Sequence, residues 1–139
     1  MPRFIVISLI LILAVHFAGN AFFWYDRLFW LDIVMHLLGG AWVAVLSVYL
    51  FGEHWPVIGD KAKPSQEFIL ILGSVALVGV LWEFYEFLAD VYVLKIHPLN
   101  LAPDPKVLPD TIADLLNDLI GGSLAFFFLK FSKRKSAEN

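Results

Sequence analysis

The sequence contains no cysteine and few charged residues. Of its 139 residues, 17% are charged and 60% are hydrophobic, and the mean hydropathy is +0.76. Without cysteine there is no disulfide framework, thiolate metal site or thiol nucleophile. A soluble domain carries about a quarter charged residues, so the shortage of charge indicates a membrane protein. The net charge of −3 argues against nucleic-acid binding, because the one basic run lies in the tail at Lys130, Lys133, Arg134 and Lys135.

The apolar residues form four blocks, each close to the roughly 20 residues needed to cross a bilayer. The blocks are too long and too uniformly apolar for membrane strands. The sequence therefore predicts an all-α polytopic membrane protein, with one integral membrane domain over residues 1–139 and a bundle of four transmembrane helices. The predicted spans are residues 4–23, 33–51, 68–90 and 111–131.

A cleaved signal peptide is the rival interpretation of the first block. Arg3 would supply its short basic region, Phe4–Val15 its apolar region, and Ala18, Gly19 and Ala21 the small residues of a cleavage site. Cleavage would leave three spans and would not change the orientation of the others.

The distribution of lysine and arginine predicts that both termini are cytoplasmic, in a multi-pass protein of the inner cell membrane. With that orientation, seven basic residues are inside and three are outside. The inner ones are Arg3, Lys61, Lys63, Lys130, Lys133, Arg134 and Lys135, and the outer ones are Arg27, Lys95 and Lys106.

Three connections join the blocks. A short outer turn surrounds Asp26–Arg27 and is rich in aromatic residues, and a polar inner loop runs from Gly52 to Pro64. The longest connection, Asp90–Pro109, holds four prolines and is therefore predicted to be irregular. It is a candidate lid over a site, or else a stiff tether.

Polar residues gather where these spans meet the outer side. Asp32 and His36 are four residues apart, as are Asp114 and Asp118, so each pair shares one helix face. With both termini inside, the topology brings all the polar groups to the outer third of the bundle, where carboxylates should face the interior or a water-filled cavity. The other members are His16, Glu83, Glu86, Asp110 and Asn117.

Simpler interpretations exist for some members. Asp110 follows a proline and precedes Thr111, which predicts an N-cap for the fourth helix, and Asp32 is open to the same interpretation for the second. The two glutamates could be water-exposed interfacial residues. His16 could be a packed interfacial histidine, whereas His97 in the long connection is expected to be exposed.

Many carboxylates in a small volume need protonation, a cationic partner or a bound metal. Carboxylates with one imidazole suit a divalent cation such as Mg²⁺, Mn²⁺ or Zn²⁺. The predicted metal ligands are Asp32, His36, Glu83 and Asp114. Glu86 and Asp118 are the candidate catalytic residues, and His16, Asn117 and Asp110 are candidate supporting residues around the ligands.

The segments Asp32–Gly40, Trp82–Phe87 and Asp110–Gly122 together resemble the YjdF-like bacterial inner-membrane proteins. Their order, Asp-x-x-x-His, then Glu, then Asp-x-x-x-Asp before glycine, is also similar to the broader VanZ-like group. The resemblance implies a small polytopic membrane protein with an acidic and histidine motif at the membrane. VanZ-like proteins are associated with resistance to glycopeptide antibiotics. Ile33 stands where VanZ-like members carry lysine, which favours the YjdF-like branch.

Three functions follow from this pattern. The first is a metal-dependent enzyme acting at the outer face on a lipid or lipid-linked envelope precursor. The second is a transporter or ion-binding protein that uses the carboxylates as a proton or cation site; four spans are few, so it would require a homo-oligomer. The third is an accessory membrane protein with a structural polar core. Membrane lipids are the expected partners in each case.

Overall fold

The structure is a computed structural model that describes residues 2–55, 57–58, 62–89, 91–92 and 107–137. These residues form an all-α bundle. The helices are α1 (Pro2–Ala21), the single turn α2 (Trp24–Arg27), α3 (Phe29–Tyr49) with a π-helical extension (Leu50–His54), α4 (Pro64–Ala89) and α5 (Val107–Ala137). Four of these segments are long and apolar enough to cross a membrane: α1, α3 with its extension, α4, and α5 as far as Ser132. The all-α fold with four membrane helices is confirmed.

Helices α3 and α5 begin at Phe29 and Val107, about one turn earlier than the predicted spans, which start at residues 33 and 111. In both helices this extra turn ends in an aspartate, Asp32 or Asp110, and the predicted spans begin just after it. The position before α3 is Leu28, and no side chain there caps the helix. Asp110 lies in the first turn of α5. The N-cap prediction for Asp110 was therefore wrong, and the same interpretation of Asp32 is excluded. Acidic side chains in a first turn still interact favourably with the helix dipole.

The chain reverses direction after α1 at Phe23, whose backbone lies in the left-handed region (φ 57°). This conformation is unusual for a bulky residue. It leads into α2 and brings the Tyr25 ring back against α1. The ring passes so close to Gly19 that a Cβ there would lie 2.7 Å from Tyr25 Cε2. The predicted aromatic turn is thus a single helical turn that returns a phenol towards the bundle.

Helices α3 and α5 cross at backbone contact. A Cβ on Gly40 would overlap the carbonyl group of Asp118, and a Cβ on Gly121 would overlap that of Leu37. Small residues permit this approach in membrane bundles, where close packing replaces the hydrophobic drive between helices. The crossing fixes the position of α5 relative to α3 next to His36 and Asp118.

An apolar core lies on the side of the α3–α5 crossing that is away from the polar residues. Its buried members come from α3, α4 and α5, and Phe68 packs against them. Ala44 and Ile71 are fully buried, and Val75 is 1% exposed. The polar residues of the bundle are thereby separated from its opposite end by close-packed hydrocarbon. The buried members are Val43, Ala44, Ile71, Val75 and Phe126.

The opposite end of the bundle holds an ion pair between Lys130 of α5 and Glu67 of α4. Glu67 is buried (6% exposed). Lys130→Met would leave this carboxylate without a cation, and we expect unfolding to become easier by about 1–3 kcal/mol. The double variant Glu67→Gln/Lys130→Met should recover most of the loss. Thermal unfolding in detergent measures both; equal midpoints for the single variant and the wild type would show that the pair contributes nothing.

The long connection predicted as a lid falls mostly outside the described residues. Residues 90 and 93–106, which include Asp90, Lys95, His97 and Lys106, are not described. Its last three residues, 107–109, belong to α5. Pro109 is tolerated there because the first turn of a helix needs no backbone donor at that position.

Candidate metal centre

His36 is the centre of the polar cluster. It projects from α3 into the bundle, and its side chain is 4% exposed. Asp32 lies one turn earlier on the same helix, Glu83 comes from α4, and Asp114 comes from α5. The i, i+4 spacing of an α-helix places Asp32 and His36 on one face, and the α3–α5 crossing supplies the rest of the arrangement.

One nitrogen of His36 faces three carboxylates. His36 Nε2 lies 3.8 Å from Asp32 Oδ1, 4.0 Å from Glu83 Oε1 and 3.8 Å from Asp114 Oδ1. These separations are too long for direct hydrogen bonds. Each of the three gaps is wide enough for a small ion or a water molecule that contacts both atoms.

The other nitrogen of His36 faces Asp118. His36 Nδ1 lies 3.4 Å from Asp118 Oδ1, and Asp118 is buried (6% exposed). Gly79 of α4 makes room for this carboxylate, because a Cβ there would lie 2.6 Å from Asp118 Oδ2. Asp118 thus fixes the orientation of the imidazole from the side opposite the three facing carboxylates.

Glu83 provides the sharpest anomaly of the cluster. Its Oε1 atom is buried and, among the residues that the structure describes, has no hydrogen-bond partner. The Oε1 atom faces His36 Nε2 at 4.0 Å, which is beyond hydrogen-bond distance. A buried carboxylate oxygen without a partner is costly, so this atom is a candidate ligand for a cation. The interpretation of Glu83 as a water-exposed interfacial residue is excluded.

Glu86 belongs to the same neighbourhood. One ligand atom from each of His36, Glu83 and Glu86 lies within 4.8 Å of the other two, and the same is true of Asp32, His36 and Asp114. Both groups share the imidazole. The structure therefore brings together all the residues predicted as metal ligands and both predicted catalytic residues.

The cluster carries an excess of acidic groups. Five carboxylates surround one imidazole, from Asp32, Glu83, Glu86, Asp114 and Asp118. Among the residues that the structure describes, no lysine or arginine forms an ion pair with any of them. A low-dielectric bundle cannot hold so much unbalanced charge. Protons or a bound cation must offset it.

His16 of α1 forms a second polar group with Tyr25 and Asn20. The Asn20 amide nitrogen, a donor only, lies 3.2 Å from His16 Nε2 and also donates to the His16 carbonyl oxygen. Nε2 must then accept, so a neutral His16 carries its proton on Nδ1 and donates it to the Tyr25 hydroxyl oxygen at 3.1 Å. This arrangement leaves the Tyr25 proton free for another acceptor.

Tyr25 remains a hydrogen-bond donor at physiological pH. Burial raises the pKa of its phenol to about 12, and the nearby carboxylates of Asp32 and Glu86 act in the same direction. The sequence does not point to this residue, because an aromatic side chain next to a membrane span is usually explained by the interfacial belt. No local signal distinguished Tyr25 from its neighbours.

The remaining supporting residues do not join the cluster directly. Asn117 is partly buried and Asp110 is exposed. Within the described part of the chain, neither makes a hydrogen bond or an ion pair with His36 or its carboxylates. Asp110, Asp114 and Asp118 share one helix stripe in the sequence, yet the last two alone are buried.

A cavity of about 130 Å³ adjoins the cluster between α1, α3 and α4. Its lining divides into a polar end and an apolar body. The polar end consists of His16, Tyr25, Asp32, His36, Glu86 and Asp118, and the apolar body includes Leu9, Ile12, Leu13, Met35, Trp42, Val43, Val75, Val78 and Trp82. Polar groups that converge at one end of an apolar cavity are typical of a small-molecule site.

The four apolar helices and the buried cluster define a multi-pass membrane protein with a polar site inside its bundle. Residues 1–135 match the family described as "Predicted membrane protein (DUF2238)", and the chain belongs to that family. The family description gives a membrane location and no activity. Neither a curated protein nor a solved structure gives a significant match to the chain.

Proposed function

We propose that this protein is a metal-dependent membrane enzyme that acts on a lipid or lipid-linked envelope substrate. The observation that carries the proposal is the unpartnered Glu83 Oε1 atom. It lies 4.0 Å from His36 Nε2, in a ring completed by the carboxylates of Asp32 and Asp114. A divalent cation inside this ring satisfies the orphan oxygen and offsets the excess negative charge.

The size of the ring supports a single ion. Two ligands of a tetrahedral metal at about 2.0 Å lie about 3.3 Å apart. The separations between His36 Nε2 and the three carboxylate oxygens, 3.8–4.0 Å, exceed this by about 0.5–0.7 Å. Asp32, His36 and Asp114 already form a group within 4.8 Å, and the Glu83 side chain must rotate towards the two aspartates to join them. Imidazole with carboxylates favours Mn²⁺ or Zn²⁺ over Mg²⁺, which prefers oxygen ligands and water.

Each residue then has a role in the proposed reaction. Asp32, His36, Glu83 and Asp114 hold the metal, which would polarise a phosphoryl or acyl oxygen or activate water. Glu86 lies close enough to His36 and Glu83 to act as the general base. We assign Asp118 to positioning the His36 ring, in place of the direct catalytic role that the sequence pattern suggested.

We also propose a membrane location, an orientation and a family relationship for this protein. The excess of lysine and arginine at the opposite end of the bundle supports cytoplasmic termini, with the cluster near the outer face of an inner cell membrane. The three motifs support a relationship to the YjdF-like branch and, more distantly, to the VanZ-like group. Membrane lipids are the proposed partners.

A proton- or cation-coupled transporter is the competing function, and the bundle gives it less support. Transport needs a polar path from one side of the membrane to the other. Here the cluster is followed by the close-packed apolar core that contains Ala44, Ile71 and Val75. A site that is polar at one end and sealed at the other suits chemistry on a membrane substrate better than passage through the bundle.

The test compares two aspartates of the same helix. Asp114→Asn removes a proposed ligand, whereas Asp110→Asn changes an exposed residue one turn away. Purified wild type and Asp110→Asn should bind about one Mn²⁺ or Zn²⁺ per chain and release a water-soluble product from an extract of envelope lipids. Asp114→Asn should lose at least 100-fold in metal affinity and in rate. Equal metal content and rate in both variants would refute the proposal.

A further inference from the structure

The cavity beside the candidate metal centre lies between two helices whose backbones do not meet. Within the described residues, α1 packs on α2 and α3 but not on α4. The described link between α1 and α4 is the ring pair of His16 and Trp82, whose centroids are 4.8 Å apart. The gap between these two helices is therefore closed at its polar end and open along its apolar length.

Helix α1 is bonded to its neighbours α3 and α2 at two separated points. The Trp42 indole nitrogen donates a hydrogen bond to the Ile5 carbonyl oxygen at 2.9 Å, and His16 bonds to Tyr25 at 3.1 Å. Between these points, Leu9, Ile12 and Leu13 face the cavity. Both bonds fix α1 to α2 and α3 and neither reaches α4, so the α1 side of the cavity is hydrocarbon between two polar contacts.

The cavity reaches the lateral surface of the bundle. Val78 lines the cavity and is 42% exposed. It lies near the middle of α4, about 20 Å along the helix from Pro64 by the rise of 1.5 Å per residue. An opening at this level of a membrane-spanning helix faces acyl chains and not water.

We propose that the cavity binds one hydrocarbon chain of a membrane lipid, with the polar group of that lipid against the candidate metal centre. The volume of about 130 Å³ is close to the 150 Å³ or so of cavities that hold a benzene molecule. It therefore accepts a short section of an acyl or prenyl chain, and the rest leaves past Val78 into the bilayer.

The polar end of the cavity determines which lipid headgroup can bind. Its carboxylates repel an anion unless a cation is present, whereas the Tyr25 hydroxyl offers a free proton to an acceptor. A phosphate headgroup therefore requires the metal. This part of the inference rests on the proposed function; chain binding in the apolar body does not.

The probe is a lysophosphatidate with a photoactivatable diazirine in its acyl chain, added to the protein in nanodiscs with Mn²⁺. Labelled peptides are identified by mass spectrometry. We expect labelling at Leu9–Leu13 and around Trp82 that saturates with probe concentration and is displaced by unlabelled lysophosphatidate. Val78→Trp should reduce this labelling at least fivefold. Leu77→Trp is the matched control, since Leu77 is more exposed (62%) and does not line the cavity.

A second blocking variant shows whether the loss of labelling comes from a filled cavity or from misfolding of Val78→Trp. Leu13→Trp fills the cavity from α1, so it should also reduce labelling, and both blocked variants should retain the wild-type metal content. Labelling that rises in proportion to probe on all lipid-facing surfaces would overturn the inference. Cross-links between the α1–α4 gap and a second copy of the chain would overturn it in favour of a dimer interface.

Two further arms separate this inference from the proposed function. Chelation of the metal should weaken labelling by the lysophosphatidate and leave labelling by a monoacylglycerol of the same chain unchanged. Inorganic phosphate should likewise weaken labelling by the lysophosphatidate, because it competes for the metal, and leave labelling by the monoacylglycerol unchanged. If no metal binds but saturable labelling persists, the chain site stands and the proposed enzyme function fails. If metal binds but labelling does not saturate, the chain site fails alone.

Discussion

Alanine in place of Gly40 is expected to destabilise the protein by about 3 kcal/mol or more, at the upper end of overpacking costs. The added Cβ would overlap the Asp118 carbonyl group, and the obstacle is backbone, which cannot rotate away as a side chain can. Helices α3 and α5 must then separate, which also moves Asp118 from His36. Thermal unfolding in detergent measures the loss, and metal binding should fall with it.

Gly73 supplies the matched control for this substitution. It lies in α4, and a Cβ there would meet nothing within 4 Å. Gly73→Ala should therefore be neutral or stabilise the protein by up to about 1 kcal/mol, because alanine is the better helix former. If Gly40→Ala unfolds at the same temperature as Gly73→Ala, the two backbones do not cross in contact.

Glutamine in place of His36 is expected to reduce metal affinity more than 100-fold. Among the described residues, the ring nitrogens of His36 lie within 4.0 Å of four of the five surrounding carboxylates, and an amide is a poor substitute for an imidazole ligand. Asp118→Asn should have a smaller effect of about 10–100-fold, since partners that orient a ligand typically contribute that much. Calorimetric titration of the chelator-stripped protein with Mn²⁺ or Zn²⁺ measures both.

The bundle offers a second buried histidine as the control. His16 is 6% exposed and lines the same cavity, yet its ring bonds to Tyr25 and Asn20. His16→Gln should keep metal affinity within a few-fold of the wild type. A loss as large as that of His36→Gln would mean that the metal, if bound, lies on the α1 side of the cavity and not in the ring around His36.

Periodicity and hydropathy predicted the four membrane helices and the face shared by Asp32 and His36, because both depend on local geometry. The i, i+4 spacing of Asp32 and His36 is enough to place them together on one face. The same spacing could not separate the roles of Asp114 and Asp118. That distinction depends on the rotation of α5 against α3, which the contact at Gly40 and Gly121 sets.

Other features had no readable signal in the sequence. The Tyr25–His16 bond depends on the left-handed conformation of Phe23, a conformation that is ordinarily associated with glycine or asparagine. Glu67 and Lys130 counted in the sequence as inner-side charges, and their pairing joins residues 63 positions apart. Such contacts arise from tertiary packing, so spacing rules do not reach them.

X-ray absorption spectroscopy of the metal-loaded protein tests the central claim most directly. Zinc-loaded wild type should show oxygen and nitrogen ligands at about 2.0–2.2 Å with the multiple scattering of one imidazole, and no sulfur. That imidazole signal should vanish in His36→Gln and persist in His16→Gln. A metal surrounded by water alone, or an imidazole signal that survives in His36→Gln, would contradict a metal centre at His36.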